Sequence, residues 1–549
     1  MGRPFSPQLP LMAAAALGVS SAVFLDTLAQ LTSPSHLFIY HFSGSPSAIF
    51  VAAIADVLIL AAVCLAAFLG VSEGTKLHRL LWSAILCIYP WIVTTNICII
   101  MGVREYHAVS IAIFLLCGTA FLLLTLVRSE VVDHAFAQVQ EFGMMVLVAA
   151  GVVGAFALVE TAFFAVKARH LNDQTVAETL ARPVSVAPHG RVLWIILDEL
   201  AYRQLYEDRL PDLHLPAFDR FRAESTVFSN VQPAGIQTEI VVPALMTGDP
   251  VDQIHSSSDG SLTLHDARGW HAFDERNTVF ADADALGYRT SVVGWFNPYC
   301  RMLPSVLGSC YWVNYSVAEG FTSDRSAVSN LLHPILYLAA KLLPFDVLRK
   351  HALPLSRRED GEEHIRTFVE LDHASDAALT DPRNNFLLLH MPVPHPGGIW
   401  DRRTGQFAIY HSCYVDNLAL ADAYLDHVRR LLGSDQWDNT TVVIMGDHAW
   451  RTTQIWDGTT GWNAEDQLAS DGGRYDPRPA YIIKLPHQHT AATVQTAFPA
   501  VRTRPLLDQI LLGRIATPAQ LEQWVTGVPQ AQPLAQTRGG VQGHSAHHS

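Results

Sequence analysis

Cysteine is scarce in this 549-residue chain: seven residues, with no Cys-x-x-Cys pair. That excludes a disulfide scaffold and gives no sign of a zinc knuckle. Charge is scarce too. Only 16% of the residues are charged, against about 25% in ordinary soluble domains. Half are apolar, which excludes a wholly disordered protein and fits a single soluble domain poorly. Basic residues are in deficit, 37 against 51 acidic, for a formal net charge of −14. A nucleic-acid binder needs a basic face to neutralise phosphates, so that class is excluded. The length also exceeds one compact core at roughly 150 residues per domain.

What is present is apolar sequence, most of it in the first 170 residues. Five stretches stand out, at about 10–31, 48–71, 80–103, 109–126 and 144–166. Each has roughly the 17–25 residues a helix needs to cross a hydrocarbon core of about 30 Å. Turn formers and charges fall between them, as at Ser33-Pro34-Ser35, Ser72 to Lys76, Arg104-Glu105 and Arg128 to Glu130. No clear Ala-x-Ala site follows the first stretch, so it does not read as a cleaved leader. Asp26 and Asp56 fall inside the expected spans, where a carboxylate is by default a functional candidate. Arg3, Lys76, Arg79 and Arg128 would flank one side of the membrane and Arg104, Lys167 and Arg169 the other, a slight bias towards a cytoplasmic N-terminus. With an odd number of spans, everything beyond Lys167 would lie outside the cytoplasm. Cys300 and Cys310 close a short loop that an oxidising compartment would permit as a disulfide, the alternative being two free thiols. Four of the other cysteines sit in the spans as small apolar fillers.

Around 182–190, Pro, Ser and Gly accumulate as in a linker. An uninterrupted apolar run follows, Val-Leu-Trp-Ile-Ile-Leu at 192–197, and similar runs recur at 290–295, 385–390, 440–445 and 480–484. Helical spacing lies between them, as over 415–432. Continuous apolar strands alternating with helices predict an α/β domain with a mainly parallel central sheet, covered on both faces. The expected organisation is therefore a bundle of about five transmembrane helices over 1–170, a linker over 171–190, the α/β domain over 191–525 and a disordered, His-containing tail over 526–549. The apolar stretch 331–347, broken by His333, Pro334, Lys341 and Pro344, either lies in the bilayer interface or packs on the domain. His544, His547 and His548 in the tail suggest adventitious metal binding at most.

In such sheets chemistry gathers beyond the carboxyl ends of the strands, and three clusters fall there. The first is Asp198-Glu199, the second runs from Gly235 through Thr238 to Gly248, and the third is Gly446-Asp447-His448. A carboxylate from one strand and an Asp-His pair from another supply oxygen and imidazole ligands suited to zinc or manganese. A hydroxyl completing that sphere loses its proton more readily and becomes a nucleophile. Thr238, expected just ahead of a helix beginning near Val242, is placed to be that hydroxyl, and a helix N-terminus favours an incoming anion. Singly these signals are ordinary: an Asp-His pair after a strand is commonly a turn or cap, and a Thr before a helix is commonly a cap. Their order along the chain gives them weight.

The chain also resembles the sulfatase-like branch of the alkaline phosphatase superfamily over roughly 190–490. The matching phrases are Val-Leu-Trp-Ile-Ile-Leu-Asp-Glu (192–199), the run 215–231, Pro-Ala-Leu-Met-Thr-Gly (243–248), Ala-Leu-Gly-Tyr-Arg-Thr (285–290), His390-Met-Pro-Val-Pro-His395-Pro, Gly-Asp-His (446–448) and 476–484. With the spans in front, it is similar to lipoteichoic acid synthases and lipid A phosphoethanolamine transferases. The resemblance implies that Asp198, Thr238, Asp447 and His448 surround a catalytic divalent metal, zinc or manganese, with Thr238 as nucleophile. It further implies that His395 contacts substrate or a second metal, while His390 is as readily structural. Glu199 is either an additional ligand or points away, and Arg478 pairs with a substrate anion or a neighbouring carboxylate.

Departures from the pattern narrow the chemistry. Sulfatases carry Cys/Ser-x-Pro-x-Arg, whose first residue becomes formylglycine; Thr238 is followed by Glu-Ile-Val-Val, so that group cannot form. The transferases carry another histidine about a dozen residues past Asp-His. None follows His448 in the run to Trp462, which leaves one metal ion expected and a second in doubt. The expected activity is transfer of a phospho-alcohol group from a membrane phospholipid to a glycan or lipid acceptor through a phospho-threonine, outside the cytoplasm and with no nucleic acid involved. Two rivals stand beside it: a metal-dependent hydrolase of phosphate or sulfate esters, and a non-catalytic membrane-bound scaffold.

Overall fold

The computed structural model describes residues 8–33, 47–101, 106–127, 129–168, 189–256, 261–314, 316–318, 321–322, 330–331, 334, 346–410, 412–457, 459 and 461–527. The linker before His189, most of 331–347 and the tail beyond 527, with its three histidines, lie outside the described residues. The chain divides into two compact units, one of Met1–Asn172, Ser316–Ser356 and Thr537–Ser549, the other of Asp173–Tyr315 and Arg357–Gln536.

The first unit is helical: Gln8–Val23, Leu25–Leu31, Ser47–Gly70, Lys76–Ile100, Tyr106–Leu126 and Glu130–Ala168. Among the described residues four helices are long and apolar enough to cross a membrane, or five if the bent pair at the start counts as one span. That pair is where sequence and structure differ. The single span expected over 10–31 breaks at Phe24, and its halves meet at 71°. Many large apolar side chains face outward, among them Leu116, Leu126, Val131 and Phe156, the reverse of a water-soluble helix bundle. Inside, the Gln8–Val23 and Glu130–Ala168 helices approach closely because small residues meet: a methyl on Gly18 would collide with the Leu147 carbonyl, and one on Gly151 with that of Ala14. Asp26 accepts a hydrogen bond from Gln30 (3.1 Å). Asp56 is buried, with neither carboxylate oxygen bonded by a described residue.

The second unit is built on an eight-stranded sheet. Its strands are β1 (Arg191–Leu197), β2 (Thr226–Phe228), β3 (Thr290–Trp295), β4 (Ser309–Val313), β5 (Phe386–Met391), β6 (Thr440–Met445), β7 (Tyr481–Lys484) and β8 (Ala492–Val494). The spatial order is β8-β2-β7-β6-β1-β5-β3-β4. From β6 to β4 neighbours are parallel; only β7 runs against β6 and β2. Leu193, Ile195 and Leu197 pack with Phe368 and Leu371 of the Asp346–Thr380 helix and Leu418 and Leu425 of Tyr414–Asn439. The alternate residues Val192, Trp194 and Ile196 are equally buried on the opposite face, where Phe280 packs edge-on against Phe386 (5.3 Å). Burial on both faces is why these strands read as unbroken apolar runs. Cys300 and Cys310 form a disulfide linking the ends of a short excursion between β3 and β4.

Candidate active site

Strand register brings the first two acids together. β1 lies between β6 and β5, with Ile196 opposite Met445 and Leu197 opposite Met391. Chain continuing past β1 and β6 therefore delivers Asp198 and Asp447 to the same edge of the sheet. Gly446 makes that possible, since a side chain there would strike the Leu200 carbonyl. The Glu199 N–H donates to Asp447 Oδ1 (3.1 Å), which fixes the second carboxylate.

Thr238 comes from the other direction, and its position corrects the sequence reading. The helix does not begin near Val242; it runs Thr238–Thr247, with Thr238 its first residue and Gln237 the cap position. The threonine hydroxyl is not used as a cap. It donates to Asp447 Oδ2 (2.8 Å), with His448 Nε2 at 3.3 Å and Asp198 Oδ2 at 3.5 Å. His448 Nδ1 faces the Ala449 carbonyl (3.2 Å), which leaves the Nε2 lone pair towards the acids. Burial, with the Arg451 charge next, pushes the His448 imidazole down to about 3, so it is neutral at working pH and can ligate. Burial and then the charges of Asp447 and Glu199 raise Asp198 well above the usual carboxylate range.

Asp198, Asp447 and His448 are each essentially inaccessible to solvent and offer ligand atoms within 4.8 Å of one another. Asp198 Oδ1 has no hydrogen-bond partner among the described residues. A dry cluster of carboxylates with an orphaned oxygen costs several kcal/mol unless a cation answers it. The donor set, two carboxylates and an imidazole, fits one divalent ion.

Other sequence candidates fall as follows. Glu199 is fully buried and held by Arg451 and Trp456. His395 is half-buried, its Nδ1 on the Pro396 carbonyl (2.8 Å) and its ring edge-on to Trp295 and Trp456. Burial and the nearby Arg451 charge hold it well below the ordinary histidine range. Arg478 pairs with Asp476 and Glu207, neighbouring carboxylates of the kind one of its two readings named. His390 lies within β5, its Nδ1 on the Tyr299 hydroxyl (2.6 Å). Sequence reasoning passed over Arg451, Trp456, Trp295 and Tyr299. The one available signal was the Arg three places after His448.

Burial pushes His390 down to about 4. A histidine depressed in the fold contributes stability above its unfolded value near 6.5 and loses it as pH falls through the folded value. His390 is therefore expected to withdraw about 3 kcal/mol between pH 6.5 and 4. Melting of the detergent-solubilised chain, followed by tryptophan fluorescence, checks this: the stability gap between the native chain and His390→Gln should narrow by that amount on acidification, and a constant gap refutes it.

A mainly parallel sheet with acids, an Asp-His pair and a threonine gathered at its strand ends is an α/β domain of the alkaline phosphatase type. The sulfatase family model matches residues 191–475, more than half of the sequence, and the chain belongs to the sulfatase family. A comparison with curated proteins returned no match. Among solved structures, the lipoteichoic acid synthase LtaP from Listeria monocytogenes is similar at 14% identity, covering 60% of this chain and 72% of that one with a TM-score of 0.34. The phosphonate monoester hydrolase of Agrobacterium radiobacter matches at 13% identity over 59% of this chain and 73% of its own, TM-score 0.35. Ps i-CgsB, crystallised with k-i-k-neocarrahexaose, matches at 15% over 61% and 75%, TM-score 0.37. Likenesses this distant carry no argument about activity.

Proposed function

We propose that this protein is a membrane-anchored, metal-dependent phosphotransferase that moves a phospho-alcohol group from a membrane phospholipid to a glycan or lipid acceptor, with Thr238 as nucleophile and its catalytic unit outside the cytoplasm. The observation that carries the reading is the buried Thr238 hydroxyl, spent on no backbone cap and aimed at Asp447, His448 and Asp198. The apolar helices supply a bilayer anchor in the same chain, and the Cys300–Cys310 disulfide suits an oxidising compartment.

Asp198, Asp447 and His448, with Thr238 completing the set, would hold a zinc or manganese ion that supplies Lewis acidity to the threonine oxygen and to the phosphoryl group. In the first step Thr238 Oγ1 bonds to the donor phosphorus and the bond to the diacylglycerol oxygen breaks. The threonine proton leaves along its hydrogen bond to Asp447 and ends on the departing alcohol. The positive end of the Thr238–Thr247 helix faces the charge on the phosphoryl oxygens. In the second step an acceptor hydroxyl attacks phosphorus, the Thr238 oxygen departs, and the acceptor's proton returns to it. His395 is suited to take that proton in transit. With Nδ1 on a carbonyl and the ring held neutral, it offers Nε2 as a base.

Hydrolysis of a phosphate or sulfate ester remains the second reading, since membership of the sulfatase family is compatible with water as acceptor. Labelled phospholipid given to the purified chain with and without candidate glycans separates the two. Label in the glycan, with a matching mass added at Thr238 in its absence, supports transfer. Label released only to water, whatever glycan is present, refutes it.

A further inference from the structure

Two carboxylates lie inside the apolar helices. Asp26 accepts from Gln30. Asp56, in the Ser47–Gly70 helix, accepts from no described residue through either oxygen, and no ion pair of the described residues includes it. It is 1% exposed. A bare carboxylate at membrane depth is among the costliest placements open to a side chain, and it is retained where something answers the charge.

The break in the first helix at Phe24 gathers further polar atoms around Asp56. Ser20 donates its hydroxyl to the carbonyl of Val57, the next residue after Asp56 (2.6 Å). Two positions along, the Ala22 carbonyl accepts from Asn96 Nδ2 (3.0 Å). The Ser47–Gly70 and Lys76–Ile100 helices thus meet the first helix within one turn of each other. Beyond the break, Leu28 packs with Phe24 and Val57, which brings Thr27 into the same neighbourhood. A methyl on Gly154 would strike the Ser21 hydroxyl, so the Glu130–Ala168 helix closes the remaining side.

The side-chain atoms without a partner here are all oxygens: both of Asp56, Oδ1 of Asn96 and the hydroxyls of Ser21 and Thr27. Thr27 and Asn96 are fully buried and Ser21 nearly so. One proton would answer a single carboxylate oxygen and leave Asn96 Oδ1 without a donor. A cation answers several oxygens at once. A broken membrane helix is a recurrent place for an alkali ion, because its freed backbone carbonyls add to the ligand set. Charge fixes the valence: one carboxylate balances one positive charge, and a divalent ion would leave a surplus in a dry site. Burial fixes the size, since side chains this inaccessible do not admit a lipid ammonium headgroup.

We propose that Asp56, Asn96, Thr27 and Ser21 hold one dehydrated alkali cation, Na⁺ or K⁺, at the break in the first membrane helix. The ion ties the two halves of that helix to the Ser47–Gly70 and Lys76–Ile100 helices. The site belongs to the membrane unit alone and is independent of the threonine chemistry.

Melting of the full-length chain in detergent, at about pH 8 where carboxylates are ionised, tests this. A thiol-reactive fluorophore reports it, because four of the five free cysteines, Cys64, Cys87, Cys98 and Cys117, lie in the membrane helices. Chloride salts of Na⁺, K⁺ and N-methyl-D-glucamine are compared at one ionic strength, with Mn²⁺ held constant. The midpoint should rise with Na⁺ or K⁺ and then level off, whereas N-methyl-D-glucamine, too bulky to enter, should give no rise. Asp56→Asn should lose the dependence. Thr27→Val, which keeps the side-chain shape and the Asp56 charge, should need several-fold more cation for half the rise. Equal midpoints in the three salts overturn the proposal, and so does a cation response that survives in Asp56→Asn. Should Asp56→Asn not fold, Thr27→Val decides: an unchanged half-effect concentration there overturns the proposal as well.

Discussion

Thr238→Ala is expected to reduce turnover by roughly 10³-fold or more, the range seen when a nucleophile is removed and only substrate binding is left. The substitution should also erase any mass added to the protein by incubation with phospholipid. Loss of the hydroxyl and the γ-methyl at the first position of a helix should disturb the fold little, because the hydroxyl caps nothing. Metal binding should survive at saturating ion, since Asp198, Asp447 and His448 remain. Thr238→Ser, which keeps the oxygen, should retain part of the activity. Steady-state assays and intact-mass measurement on the same preparations check all of this; undiminished turnover in the alanine variant would sink the mechanism.

Asp447→Asn is expected to fail differently. Asp447 is where the site's contacts converge, accepting from Thr238 and from the Glu199 N–H and lying 3.2 Å from His448 Nε2. Two effects oppose each other in this variant. Removing the Asp447 charge makes Asp198 easier to ionise, because that charge is one of the causes of its raised pKa. Against this, an ion loses a charged ligand outright, which costs more than the roughly 10–100-fold that losing a mere supporting partner does. The ligand loss should win: metal affinity falls by more than about 100-fold, activity falls with it, and excess metal restores part of both. Metal titration alongside activity separates this from Thr238→Ala, where activity falls while bound metal stays. An Asp447→Asn chain with native metal affinity would remove Asp447 from the proposed ligand set.

The acidity of the site sets the direction of its pH response. Asp198 is raised by burial and by its carboxylate neighbours, so protons compete with metal above the ordinary carboxylate range, and affinity should climb as pH rises through that raised value. His448, depressed to about 3, adds no competition near neutrality.

How much of this could be read from the sequence differs residue by residue. The apolar spans were legible because partition into a bilayer depends on some twenty consecutive residues and on nothing further away. The strands were legible because burial on both faces writes itself as an unbroken run. Asp198, Asp447 and His448 were legible as strand-end residues, and the parallel register of β1 with β6 put the two acids side by side. The bend at Phe24, the start of the helix at Thr238 and the partner of Glu199 were not legible. Glu199 and Arg451 stand 252 positions apart, and Arg478 and Glu207 271 apart. No local pattern marks such pairs.

The sequence by itself determined that this chain has apolar segments long enough to cross a membrane, an α/β domain and a short roster of candidate ligands, since each of those follows from side-chain chemistry repeated over neighbouring positions. Only the tertiary structure decided which carboxylates gather around an imidazole and a threonine hydroxyl and which are answered by an arginine. That decision depends on distances of about 3 Å between side chains, and those distances exist only once strands far apart in the chain have come into register.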